Sequence, residues 1–352
     1  MPKPTILVTG GAGYIGSHTT LELLLAGFTV VIVDNLCNSS VAVVRRLREL
    51  AGPEAPELHF IQADILDRSA LDKAFAAHQP HAVIHFAGLK AVGESTRDPL
   101  TYYDVNVGGS IQLIRAMQKA GCHRLVFSSS ASVYGSTPKI QPIPEHLAPS
   151  PSIASPYGKT KAHVEDLLQD WVASDAQVGV TLLRYFNPIG AHPSGQIGED
   201  PKGTPNNLMP YLAQVATQTR PYLPVFGDSY ATSDGTCIRD YLHVVDLALG
   251  HLAALRDLQL GVCEAYNLGT GCGTSVLELI HLMSETVGRE LPYRILPMRP
   301  GDVKELRADP SKAQAKLGWV AHRTVKEMCE DTWKWRTLNP HGYETTGNAH
   351  EH

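Results

Sequence analysis

The strongest constraint on the fold is a strand, a glycine turn and a helix at the start of the chain. Thr5-Ile6-Leu7-Val8-Thr9 reads as a short buried parallel strand, and Tyr14 to Ala26 as the helix after it. Gly10, Gly11, Ala12 and Gly13 fill the turn, and Gly16 falls in the first turn of the helix. The glycines satisfy both a GxGxxG spacing (Gly11, Gly13, Gly16) and a GxxGxxG spacing (Gly10, Gly13, Gly16). Such a turn needs positive φ, close backbone approach to a pyrophosphate, and helix–strand packing with no Cβ between. The helix then offers unpaired N–H groups and the positive end of its dipole to phosphates. A glycine motif alone is weak evidence. Here a second strand, Thr29-Val30-Val31-Ile32-Val33-Asp34, ends in an acid at the expected distance. The Asp34 carboxylate can accept ribose hydroxyls and would repel a 2′-phosphate, which favours NAD over NADP.

Strand-like and helix-like runs alternate through the first half. Leu58–Ile61, His81–Phe86, Arg124–Phe127 and Val180–Phe186 read as strands, and 41–51, 68–78, 99–120 and 157–173 as helices. This rhythm predicts an α/β fold, a doubly wound parallel sheet covered on both faces. Ligands of such sheets bind at the carboxyl ends of the strands, where Asp34, Asp64, Phe86–Lys90 and Ser128–Ser130 should lie. Past residue 187 prolines and glycines are dense, which predicts a smaller α+β domain closing over that edge. The expected division is 1–187 with about 236–262 for the dinucleotide domain, and 188–235 with 263–338 for the second. A polar tail follows at 339–352.

With 352 residues, 43% hydrophobic and 18% charged, the chain has ordinary globular composition. A net charge of -5 gives no electrostatic footprint for nucleic acid or an anionic membrane. No apolar run reaches the ~20 residues of a membrane span, and no basic stretch followed by an apolar one opens the chain. Cys37, Cys122, Cys237, Cys263, Cys272 and Cys329 form no CxxC pair. They read as reduced thiols of a cytoplasmic protein. The histidines are scattered and form no HExxH pair, so no metal is expected.

The second informative motif is Tyr157-Gly158-Lys159-Thr160-Lys161. Residues four apart share a helix face, so Tyr157 and Lys161 are neighbours. Tyrosine ordinarily titrates near pH 10. A nearby ammonium and a nicotinamide cation would bring it toward working pH, which makes Tyr157 a candidate base. Ser130, after a strand, can hydrogen-bond the same substrate hydroxyl. Each residue has a bland reading as a helix face or strand cap; all three downstream of a dinucleotide turn make chance a poor explanation.

The order glycine turn, serine, YxxxK resembles the extended short-chain dehydrogenase/reductase superfamily with its Rossmann sheet. Five runs, Asp34–Ser39, His85–Ser95, Leu183–Pro188, Gly190–Gly195 and Pro205–Tyr211, resemble the UDP-glucose 4-epimerase family more closely. The likeness extends from about residue 5 to Arg336. It implies that hydride passes from C4 of a UDP-hexose to tightly bound NAD while Tyr157 takes the hydroxyl proton through Ser130. The keto sugar then turns its other face, and both return, with no net redox. It also implies a homodimer formed through 99–120 and 157–173.

By the same resemblance Gly10, Gly13, Tyr14, Ile15 and Gly16 lie at the pyrophosphate, and Asp34, Asn35, Leu36, Cys37, Asn38 and Ser39 around the adenosine ribose. Asp64 and Ile65 sit beside the adenine. Phe86, Ala87, Gly88, Leu89, Lys90, Asn106, Ser130, Tyr157, Lys161 and Phe186 hold the nicotinamide half. Asn187, Asn207, Leu208, Pro224, Val225, Phe226, Arg239, Tyr241, Arg299 and Asp302 match UDP-sugar positions, the arginines offering paired donors to the diphosphate. Leu306 stands where the family carries a tyrosine or a smaller residue beside the sugar. Being smaller than tyrosine, it leaves room for an N-acetyl group and suggests side activity on UDP-N-acetylhexosamines.

Two rival functions fit the same fold. A nucleotide-sugar 4,6-dehydratase needs a further acid–base pair, placed in that family as Asp-Glu after the catalytic hydroxyl residue. Here Ala131-Ser132 follows Ser130. A non-catalytic NAD-binding regulator has no use for Ser130, Tyr157 and Lys161 together.

Overall fold

The computed structural model describes residues 4–135, 140–203, 205, 207–299 and 302–343. Asn206, Pro300 and Gly301 of the quoted motifs, and residues 344–352 of the expected tail, lie outside the described residues. The strands are Thr5–Thr9 (β1), Thr29–Asp34 (β2), Leu58–Gln62 (β3), Ala82–His85 (β4), Arg124–Ser130 (β5), Gly179–Tyr185 (β6) and Asn187–Ile189 (β7). They continue with Leu223–Phe226 (β8), Ile238–Arg239 (β9), Tyr241–His243 (β10), Cys263–Leu268 (β11), Thr274–Ser275 (β12), Tyr293–Leu296 (β13) and Glu305–Leu306 (β14). The helices are Tyr14–Leu25 (α1), Ala42–Ala51 (α2), Arg68–His78 (α3), Val92–Ser95 (α4), Pro99–Tyr102 (α5) and Gly109–Ala120 (α6). Pro156–Ser174 (α7), Leu208–Ala216 (α8), Val244–Asp257 (α9), Val276–Val287 (α10), Ser311–Leu317 (α11) and Val325–Leu338 (α12) complete them.

Seven parallel strands form the main sheet in the order β11-β6-β5-β4-β1-β2-β3. Successive strand residues face opposite sides. Ile6, Val8, Val30 and Ile32 pack with Leu21 and Leu24 of α1, Leu47 of α2 and Leu247 of α9. Leu7, Val33, Val83 and Phe127 pack on the other face with Leu71 and Phe75 of α3, Leu113 and Met117 of α6, and Val164 and Leu168 of α7. Both faces are covered, which is why these strands read as unbroken apolar runs. The winding reverses between β1 and β4, and at that point an open α/β sheet leaves a crevice beyond its strand ends.

Smaller sheets lie beyond the crevice: β10 with β7, β12-β9-β14, and β13 with β8. They enclose a separate core with α8, α10 and α12, including Leu212, Leu223, Val225, Leu279, Met283 and Met328. Capping boxes start α10 (Ser275 with Glu278) and α12 (Thr324 with Glu327), satisfying first-turn donors that would otherwise be orphaned.

Two placements differ from the sequence reading. Residues 263–268 add a seventh strand to the main sheet, while 238–239 and 241–243 pair within the small sheets. Composition alone does not separate them, because strands this short carry little pattern. The expected helix over 99–120 is interrupted by a π-turn at Tyr103–Gly108. Its widened turn lets the Asn106 side chain leave the helix and bond the backbone of Leu89. Next to it Gly109 allows contact with Ile65, whose Cδ1 would sit 2.4 Å from any Cβ there.

Candidate active site

The glycine turn is shaped for close approach. Gly10 has φ +69°, and a Cβ on it would lie 2.8 Å from the Ala87 nitrogen. A Cβ on Gly16 would lie 2.2 Å from the Gly10 carbonyl oxygen. Gly13 is the N-cap of α1, and no side chain caps that helix, so the amides of its first turn stay available to a ligand. Tyr14 donates its hydroxyl to the Gly190 carbonyl at 2.7 Å, leaving Ile15 and its own amide in the turn.

The buried Asp34 carboxylate orders the next loop. Its Oδ2 accepts from Ala12 N at 3.0 Å, and its Oδ1 from Leu36 N at 2.9 Å and Ser39 Oγ at 2.8 Å. A carboxylate has about four acceptor positions, so one remains for a ribose hydroxyl. Leu36 takes the left-handed φ of 61° within this hydrogen-bonded loop. Asn35 donates to Asp64 at 2.8 Å, joining the Asn35–Ser39 loop, with exposed Cys37 and Asn38, to the loop of Asp64 and Ile65.

Phe86–Lys90 follows β4. The Phe86 ring lies 4.7 Å from the ring of buried His251. Asn106 accepts from Leu89 N at 2.7 Å and donates to Leu89 O and Thr160 Oγ1, both at 3.0 Å. It therefore braces the Gly88–Leu89 loop against α7. Lys90 pairs with Glu199 at 3.0 Å.

Ser155 and Pro156 open α7, Ser155 as N-cap accepting from Gly158 N at 3.1 Å and Pro156 in the first turn, where its missing N–H costs nothing. This start sets Tyr157 beside Ser130 at the end of β5, whose hydroxyl also bonds Ser132 Oγ at 2.7 Å. Burial pushes the phenol up from its ordinary pKa, while the neighbouring Ser130 hydroxyl and the Lys90 charge pull it down. Lys90 is thus a second cation acting on Tyr157, beside the Lys161 that helical spacing puts one turn along α7. The Lys161 ammonium donates to the Ser128 carbonyl at 2.7 Å and sits 4.9 Å from the Phe127 ring centroid. Burial lowers its own pKa to about 8.

The small sheets carry the remaining candidates. Asn187 and Tyr241 are register partners of β7 and β10. Asn207 is the N-cap of α8, which starts at Leu208, and donates to Glu199 at 3.4 Å. Pro224, Val225 and Phe226 run beside β13, and the Arg299 guanidinium stacks 3.7 Å from the Phe226 ring centroid. Arg239 pairs with Asp302 and donates to the Val303 carbonyl at 2.9 Å. Leu306 is the register partner of Arg239 and packs on the cluster containing buried Phe186 and Ala131. The sequence reading overlooked Glu199, Thr160 and Tyr185, whose hydroxyl bonds Ser128 Oγ. It also overlooked the buried Glu165–Arg184 pair beneath α7. No spacing rule joins residues so far apart in the chain.

A family model described as GDP-mannose 4,6 dehydratase matches residues 7–332, which puts the chain among the extended short-chain dehydrogenases/reductases. A UDP-glucose 4-epimerase of Oryza sativa subsp. japonica is 54% identical over 98% of this chain and 86% of its own. The solved UDP-glucose 4-epimerase of Stenotrophomonas maltophila, with bound NAD and formylated UDP-arabinopyranose, superposes with a TM-score of 0.92 at 49% identity, covering 96% of this chain and 99% of that one. That of Bifidobacterium longum, in complex with NAD+ and UDP, gives 0.92 at 46% identity with the same coverage. The chain belongs to the UDP-glucose 4-epimerase family.

Proposed function

We propose that the protein interconverts UDP-glucose and UDP-galactose by transient oxidation at C4 of the hexose, with NAD as a resident cofactor. The observation that carries this is the placement of Tyr157 in the first turn of α7 beside Ser130 at the end of β5, across a crevice from the glycine turn. The residues fit NAD: the uncapped α1 N-terminus suits the pyrophosphate, and the Asp34 carboxylate suits an unphosphorylated ribose. When bound, NAD supplies a reversible two-electron acceptor. Tyr157 takes the C4 hydroxyl proton and later returns it, and Ser130 holds that hydroxyl and relays the proton. Lys161 fixes the end of β5 through the Ser128 carbonyl, and Lys90 favours the phenolate. Arg239 and Arg299 hold the diphosphate, with the Phe226 ring stacked on Arg299. Leu306 bounds the sugar side, next to Phe186.

Ala131-Ser132 after Ser130 lacks the acid–base pair that loss of the C6 oxygen demands, so epimerisation is favoured over 4,6-dehydration. A homodimer through 99–120 and 157–173 and a cytoplasmic location complete the reading. Free thiols at all six cysteines support the location, and no helix among the described residues is long and apolar enough to cross a membrane. The test is conversion of UDP-galactose by purified protein with no nicotinamide added, alongside assay of NAD in the heat-denatured supernatant. Formation of UDP-glucose with stoichiometric NAD is expected; dependence on added cofactor, or a deoxy-keto product, would overturn the proposal.

A further inference from the structure

Lys90 follows β4, Leu36 and Asn38 follow β2, and β1 with its glycine turn lies between those strands. One short segment, 198–202, reaches both sides. Glu199 accepts from Lys90 at 3.0 Å. Three residues later Lys202 donates its ammonium to the Leu36 carbonyl at 2.6 Å and its amide to Asn38 Oδ1 at 3.1 Å. A segment tied to both neighbours of β1 crosses the end of β1, above the turn that approaches the pyrophosphate.

The C-terminal part of the chain holds this segment down. The Tyr343 hydroxyl accepts from Gly198 N and donates to Gly198 O, both at 3.0 Å. Trp335 Nε1 donates to Glu199 O at 3.2 Å, and Tyr343 N donates to Asp200 Oδ2 at 2.9 Å. The Trp335 and Tyr343 rings lie 4.8 Å apart, and the Arg46 guanidinium of α2 sits 4.9 Å from the Tyr343 centroid. Arg46 also donates to Gln196 O at 2.7 Å and Asn339 Oδ1 at 2.6 Å. Residues from more than 130 positions along the chain thus converge on three consecutive residues, Gly198, Glu199 and Asp200.

We propose that 198–202 is a strap across the dinucleotide groove, latched by Tyr343 and Trp335, and that Tyr343 is a positioning residue governing how fast the cofactor leaves. The proposal rests on the NAD reading above. It assigns a role to Trp335 and Tyr343: the cofactor exchanges only when this latch opens.

The test uses holoenzyme carrying radiolabelled NAD, chased with excess unlabelled NAD, and follows retained label. Tyr343→Phe keeps the ring against Trp335 and Arg46 but deletes both bonds to Gly198. Net hydrogen-bond strengths predict release faster by roughly tenfold. Lys202→Ala cuts the exposed tie to the adenosine loop without touching the core and should also speed release, by about threefold or more. Activity lost on dilution should return in both variants when NAD is added, which a misfolded site would not allow. Release at the wild-type rate in both variants would overturn the proposal. So would acceleration in Tyr343→Phe alone, since the latch would then act without the strap. Wild-type protein that carries no NAD would instead defeat the reading on which it rests.

Discussion

Removing Arg184 should destabilise the protein more than almost any other single polar change, because of what it leaves behind. Its guanidinium forks onto Glu165, with Nη2 2.6 Å from Oε2 and Nε 3.0 Å from Oε1. The side chains are 3% and 0% exposed. Ser129 Oγ also donates to Glu165, and Arg184 Nη1 bonds the Tyr134 hydroxyl and, at 2.7 Å, the Glu145 carbonyl. The pair thereby ties α7, with Tyr157 and Lys161, to both β5 and β6. Arg184→Met strands a buried carboxylate, and breaking such a pair costs about 3–5 kcal/mol. Unfolding entropy near 2.1 cal/mol/K per residue makes ~0.7 kcal/mol equivalent to one degree over 352 residues, so Tm should fall by ~4–7 °C. Scanning calorimetry at a fixed rate is the assay, comparing Tm because a chain this long need not unfold in two states. The double variant Glu165→Leu/Arg184→Met removes both charges and should be less destabilised than the sum of the single losses. A Tm within ~1 °C of wild type for Arg184→Met, or full additivity in the cycle, would show that the pair does not stabilise the fold in this way.

Tyr157→Phe keeps the ring and deletes the proton acceptor. Turnover should fall by at least ~10²–10⁴ while NAD and UDP still bind, measured by product assay and calorimetric titration. Leu306→Tyr should suppress any UDP-N-acetylglucosamine conversion far more than UDP-glucose conversion, read as the ratio of the two rates in wild type and variant. An unchanged ratio would make Leu306 merely another wall. Burial holds His18 and His85 at pKa values of about 3 and His251 at about 4, against 6.5 ordinarily. Between those limits the unfolded chain binds more protons, so stability is full above pH 6.5 and falls as pH drops toward 4. Tm should therefore decline steadily from pH 7 to pH 5, and a flat profile would contradict it.

The sheet was legible because its strands are covered on both faces: Thr5–Thr9 and Thr29–Asp34 carry the apolar runs that such burial requires. Tyr157 and Lys161 were legible because helical spacing is local. What the spacing hid is where Lys161 points, since the Ser128 carbonyl that receives it belongs to a different element. The Lys90–Glu199 pair, separated by 109 positions, and the Glu165–Arg184 pair exist only once the topology brings their elements together. The break before α6 was equally hidden, because the Asn106 bonds that favour it come from the loop after β4.

One hydride should leave C4 and return to the same carbon with no exchange outside the site. Incubating UDP-galactose deuterated at C4 with the purified protein in ordinary water, with no cofactor added, tests this directly by NMR of the product. The expected product is UDP-glucose with the deuterium still on C4. Loss of the label to solvent, or its appearance at C6 of a 4-keto-6-deoxy sugar, would contradict it.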